Sequence, residues 1–315
     1  MTMFYFICQQ TLIYTIPLLI VACAGIFSEK GGILNFALEG IMLIGAFSGA
    51  LFLHQFDDGT NAHYIIALLI AGVSGVIIIL PHALASITLG AHQAVSALAI
   101  NLLVPPATII MARAIVGKLQ VGFVNNYVIP EVPGLSKVPI IGGIFFTNAY
   151  INTILGVAVL LLSVFVMYKS KFGIHLRACG ENPQAAASMG IDVTRTRYIG
   201  VLISGFIGGM GGLAFIIPVS SEYSATVAGY GYLAVAVVIF GQWDPMKILW
   251  ASIFFGFMKT VASMYTTIPF LVALDLSNYW FKMVPYAATV VVLAFTSRHS
   301  GRPRALGIAF DQGAR

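Results

Sequence analysis

The chain has 315 residues, of which 59% are apolar and only 9% charged. A water-soluble domain carries about 25% charged residues, so this composition excludes one and defines an integral membrane protein. The formal net charge of +5 comes mostly from basic residues at 169–197 and beyond Phe295, a distribution that orients a membrane chain and needs no nucleic-acid partner.

The N-terminal stretch Ile20-Val21-Ala22-Cys23-Ala24 resembles a lipoprotein cleavage site, yet no Lys or Arg precedes Lys30, so an uncleaved first span is expected. Spans of about 20 mostly apolar residues are expected at 11–27, 31–53, 64–80, 92–115, 149–168, 198–219, 225–241, 247–264 and 280–296. The seventh and ninth are marginal, which leaves eight to ten spans. Nine is preferred because it keeps every loop consistent with the positive-inside rule. Loop 169–197, with Lys169, Lys171, Arg177, Arg195 and Arg197, is then cytoplasmic, as is the tail 297–315 with Arg298, Arg302 and Arg304. Loop 54–63, with two aspartates and no Lys or Arg, lies outside, as does the Pro- and Gly-containing segment 116–148. The fold class is therefore all-α, one polytopic helical domain over 1–315. Segment 116–148 has room for a short helix and a docking surface, and the tail is expected to be partly disordered. Cys8, Cys23 and Cys179 form no disulfide framework.

Polar groups inside spans are costly, about 2.5–3.5 kcal/mol for a charge at the centre, so each needs a reason. Asn35 and Glu39 stand four apart in the second span, which would put them on one helical face. They either fix helix packing through internal hydrogen bonds or line a translocation path. Asn101 precedes Pro105-Pro106, a pair expected to break or kink the fourth span, and is the next candidate for the path. His92, Gln93 and Ser96 read as the start of that span, and Lys259 as a side chain that reaches to water at the end of the eighth. Glycines at 45 and 49, 205 and 209, and 208 and 212 have the spacing of close helix packing, with a flexible point at 205–212 as the alternative. Phe36, Phe47, Tyr230, Tyr232 and Phe240 could stack on a nucleobase, but an aromatic in a membrane span more often serves packing or anchors at the interface, so none is singled out as a binding residue.

Arg177 to Gly190 is a polar interruption with its own helix grammar. Asn182 suits an N-cap, Pro183 the first turn, and Gly190 a left-handed C-terminal residue. The helix between them, about two turns long, is too short to span a membrane, and its place between spans makes it a handle for another protein. No phosphate-binding loop is present: Gly256-Phe257-Met258-Lys259-Thr260 lacks the second glycine. Neither metal-ligand spacing nor a catalytic constellation stands out, so no cofactor is expected and any ATP hydrolysis must occur on another polypeptide.

Gln184-Ala185-Ala186, three residues, then Gly190 resembles the Glu-Ala-Ala-x-x-x-Gly coupling loop of bacterial ABC-importer permeases, with Gln in place of Glu. The run Leu176–Gly212 resembles the branched-chain amino acid, simple sugar and nucleoside branch of those permeases. Asn35-Phe36-Ala37-Leu38-Glu39-Gly40-Ile41-Met42 is most similar to its nucleoside type. The resemblance runs from about Gly31 to Arg304. It implies a multi-pass permease of the bacterial cytoplasmic membrane, with nucleosides as the first choice of solute and sugars or branched-chain amino acids behind. It implies ATP-binding subunits that grip Glu181, Asn182, Pro183, Gln184, Ala185, Ala186 and Gly190. It further implies an external substrate-binding protein and a second, different permease subunit. An ion-coupled carrier, which needs no ATPase, is the rival; Glu39 is the carboxylate it would use.

Overall fold

The computed structural model describes residues 2–124, 127–131, 141–145, 147–265, 280–281, 283–285, 287–290 and 301–310. In chain order the helices are α1 (Thr2–Glu29), α2 (Leu38–Phe56), α3 (Asn61–Ala83), α4 (Gln93–Val116), α5 (Ile141–Phe145), α6 (Ile151–Lys169), α7 (Lys171–Glu181), α8 (Pro183–Ser188), α9 (Val193–Val219), α10 (Tyr230–Phe240) and α11 (Pro245–Met264). A π-helical turn, Leu84–Thr88, continues α3. Six of the described helices are long and apolar enough to cross a membrane: α1, α2, α3 with its π turn, α4, α6 and α9.

α1 and α9 form the centre of the bundle, and α3, α4 and α6 form its rim. About 78% of the apolar window of α1 and of α9 is buried, against 39%, 28% and 33% for the other three. Glycine makes the centre possible. A Cβ at Gly212 of α9 would stand 1.9 Å from the Met42 carbonyl of α2, and one at Gly209 would stand 2.1 Å from that of Ala71 in α3. A Cβ at Gly45 would meet the Gly209 carbonyl at 2.2 Å. Gly45, Gly209 and Gly212 are thus backbone-contact residues, while Gly49 and Gly208 leave room for the side chains of Leu213 and Ile41; both are packing uses of the small-residue spacing.

The two ends of the bundle differ. α7, α8, the turn between α1 and α2, and residues 301–310 gather at one, which carries Lys30, Lys169, Arg177 and Arg304. At the other, β1 (Val121–Gly122) pairs antiparallel with β4 (Glu222–Tyr223), and β2 (Val128–Glu131) with β3 (Thr147–Tyr150). These short ribbons are an addition to the all-α expectation.

Several expectations need correction. The second span does not begin as helix at 31: residues 30–37 are turn and irregular backbone, and α2 starts at Leu38. Asn35 and Glu39 therefore do not share a helical face. The expected span 225–241 is an irregular run over 225–229 followed by α10, whose 11 residues reach only about 16 Å. Pro105 and Pro106 do not break α4, which is helical through both; one carbonyl of that turn, Pro105, accepts from the Thr108 hydroxyl at 2.9 Å. Lys259 lies over the Tyr230 ring, 5.4 Å from its centroid. Over 301–310 the tail is docked at the basic end. Much of 280–296, together with 297–300 and 311–315, lies outside the described residues.

Candidate functional site

The basic end carries the short helix. Ser170 caps α7, its hydroxyl accepting from the Gly173 amide at 3.0 Å. That helix was not foreseen. Its signal, a serine before Lys171 at the end of an apolar run, is weak. The Asn182 side chain accepts from the Ala185 amide at 3.0 Å and starts α8 with Pro183 in its first turn. The helix closes in a Schellman motif: the Ile191 amide reaches the Ala186 carbonyl at 3.1 Å and the Gly190 amide that of Ala187 at 2.9 Å. Gly190 has φ +83°, which L side chains rarely adopt.

The seven residues singled out here divide by face. Pro183 and Ala186 are buried, and Ala186 packs with Cys179 of α7 and Val193 of α9. Glu181, Asn182, Gln184, Ala185 and Gly190 are exposed, and Met189 beside them is 82% exposed although apolar. Burial raises the Cys179 thiol above its ordinary pKa, an effect that outweighs the nearby Arg197 charge. α8 thus presents an outer strip of Gln184, Ala185, Ser188 and Met189 on a helix fixed from within.

Inside the bundle, Asn35, Glu39 and Asn101 converge where two non-helical segments meet. The Glu39 carboxylate accepts from the backbone amides of Gly229 at 3.1 Å and Gly231 at 2.7 Å. It thereby occupies the N-terminus of α10, where orphan amides and the helix dipole favour negative charge. A Cβ at Gly231 would lie 2.2 Å from the Glu39 nitrogen, so the chains touch backbone to backbone. The Asn101 side chain ties α4 to the start of α2: its oxygen accepts from the Gly40 amide at 2.8 Å and its nitrogen donates to the Phe36 carbonyl at 2.7 Å. The same nitrogen donates to the Tyr232 hydroxyl at 3.2 Å. Asn35 accepts from the Ala37 amide at 3.1 Å, the turn that Asn makes readily, and donates to Ser204 of α9 at 2.9 Å.

Three further participants escaped sequence reasoning. The Gln93 oxygen accepts from the Leu34 amide at 2.7 Å, so this residue is more than a helix start. Ser204 is the α9 partner of Asn35. Glu29, expected in a loop, is buried and accepts from the Trp243 indole at 2.5 Å. Polarity at a span end was the only available signal for Gln93 and Glu29. Asn35, Glu39, Gln93 and Asn101 satisfy backbone in or beside the two non-helical segments, and non-helical backbone in a membrane is tolerated only inside protein or beside a water-filled cavity. Phe36, half-buried, and Tyr232, half-exposed, form the accessible fringe. Among the described residues no group of His, Cys, Asp and Glu could hold a metal ion.

Comparison with known proteins places the chain among transport permeases. The family described as branched-chain amino acid transport system / permease component matches residues 7–293. The chain is 37% identical over 313 residues to the guanosine ABC transporter permease protein NupQ of Bacillus subtilis, covering 98% of this chain and 97% of that one. It is 35% identical over 309 residues to the nucleoside ABC transporter permease protein NupC of Lactococcus lactis, covering 96% of each. The putative glucose ABC transporter permease protein TsgC13 of Haloferax volcanii is 28% identical over 246 residues, covering 78% and 73%. No solved structure matches.

Proposed function

This chain belongs to the family of permease components of branched-chain amino acid transport systems, and from that premise we propose that its solute is a nucleoside. It is a multi-pass permease subunit of the cytoplasmic membrane, and ATP hydrolysis resides in a separate ATP-binding subunit. That membership displaces the ion-coupled carrier. The observation that carries the choice of solute is similarity along nearly the whole chain to a guanosine permease and a nucleoside permease, against a shorter and weaker match to a putative glucose permease.

In this reading α8 is the coupling helix. Its outer strip, Gln184, Ala185, Ser188 and Met189, meets the ATP-binding subunit, together with the exposed Glu181, Asn182 and Gly190; Pro183 and Ala186 act from the buried side by seating it. The basic end is then cytoplasmic and the β-ribbon end faces the substrate-binding protein. Nine passes agree with this: α10 follows its irregular lead-in as half a pass, α11 runs beside α1, and residues 301–310 dock at the basic end. Asn35, Glu39 and Asn101 shape the wall of the pathway, since their polar atoms are occupied by backbone, Ser204 and Tyr232. Phe36 and Tyr232 are the side chains left to face the solute. The pathway is completed by a second, different permease subunit.

Uptake of radiolabelled guanosine by cells expressing the chain with its ATP-binding subunit, partner permease and substrate-binding protein tests the reading. Other nucleosides should compete, and glucose and leucine should not. Transport of glucose or leucine without guanosine uptake would replace the nucleoside assignment.

A further inference from the structure

The largest fully buried side chain described is an arginine. Arg197, in the second turn of α9, is 1% exposed, and no carboxylate among the described residues forms an ion pair with it. Its guanidinium is satisfied by three backbone carbonyls from three separate segments. Nε donates to Gly31 at 3.0 Å in the turn between α1 and α2, Nη2 to Cys179 at 3.5 Å in α7, and Nη1 to Ile308 at 3.3 Å in the tail. A planar fork of five N–H groups can serve three such acceptors together; an ammonium cannot hold the same geometry.

The segments that Arg197 joins are also bonded to one another. The Ala305 amide donates to the Gly180 carbonyl at 2.8 Å, and the Gly307 amide to that of Gly32 at 3.1 Å. A Cβ at Gly180 would lie 2.1 Å from the Lys30 carbonyl, and one at Gly301 would lie 2.7 Å from that of Gln242, just past α10. Phe310 packs on the cluster of Cys179, Ala186 and Val193 that seats α8. The tail therefore touches α7, the seat of α8, the lead-in to α2 and the chain just past α10.

We propose that Arg197 and residues 301–310 form a rigid joint that makes α7, α8 and the 30–33 turn move as one body. A load on α8 then reaches Asn35 and Glu39 through the short run 30–38, without loss in a flexible loop. Arg197 is a positioning residue that touches neither solute nor ATP. The proposal rests on the reading of α8 as the contact with the ATP-binding subunit.

The test uses the complete transporter in proteoliposomes containing substrate-binding protein, with guanosine as the probe. Three variants are compared: Arg197→Ala, Arg197→Lys, and a chain ending at Ser300. Arg197→Ala and the truncation should retain the ATP-binding subunit on purification and continue to hydrolyse ATP. Guanosine moved per ATP should fall about tenfold, within the range of coupling effects between sites, and Arg197→Lys should fall less. Cys179, shielded by Phe310, should react faster with maleimide in the truncated chain. Wild-type transport per ATP in the truncated chain, or an equally shielded Cys179, would overturn the joint, and the truncation decides if Arg197→Ala does not insert. Cross-linking from Gln184→Cys to the ATP-binding subunit is measured in parallel. Its absence would remove the coupling reading itself, whereas intact cross-linking with full coupling in the variants would remove the joint alone.

Discussion

Both oxygens of Glu39 are engaged by backbone amides of another segment, which sets what a substitution should do. Glu39→Gln keeps the shape and one acceptor oxygen, so much of the guanosine uptake should survive, with about 1–3 kcal/mol lost for the one amide left unpaired. Glu39→Leu strands two buried donors, at about 1–3 kcal/mol each, and should abolish uptake and lower the unfolding temperature of the detergent-solubilised protein. Full uptake in Glu39→Leu would show that α10 does not depend on this cap. Asn35, Glu39 and Asn101 were legible because polar residues in apolar runs are conspicuous. Their arrangement was not, because spacing assumes a helix, and Asn35 itself bends the chain before the helix begins. Arg197 was invisible for a related reason: it stands among Arg177 and Arg195, and only tertiary packing decides which of three similar cations is buried.

Among the elements, α8 was the most legible, since its cap, its proline and its terminal glycine are all local signals. The Gly190 position is open: nothing described lies within 4 Å of a Cβ built there. A substitution at Gly190 acts through backbone geometry alone, where a left-handed non-glycine residue costs about 1–2 kcal/mol. Gly190→Val should fray the last turn of α8, reduce recovery of the ATP-binding subunit in pull-downs and depress uptake. Gly190→Asn, which tolerates the same φ, should restore much of both. Equal behaviour of the two variants would mean that the motif is not what orients the outer strip. α10 was the least legible element. Its apolar run is long enough in sequence for a span, but its first part is irregular, held by Glu39, a contact 190 residues distant. No local pattern reports a partner so remote.

For the molecule as a whole, charge asymmetry predicts which end faces the cytoplasm. In a background lacking Cys8, Cys23 and Cys179, Asp57→Cys should react with an impermeant maleimide added to intact cells. Gln184→Cys should react only after permeabilisation. Labelling of Gln184→Cys from outside would reverse the orientation and remove α8 from the reach of any cytoplasmic ATPase. The meeting of Glu39 with α10 also bears on how the protein is made. A segment of 11 helical residues with an irregular lead-in cannot satisfy its own backbone in lipid. It finds acceptors for its leading amides on a helix synthesised about 190 residues earlier. Chain order suits assembly here, because α2 is synthesised before the segment that leans on it. Damage from Glu39→Leu should accordingly show as protease sensitivity at 220–241, leaving α2 itself in place.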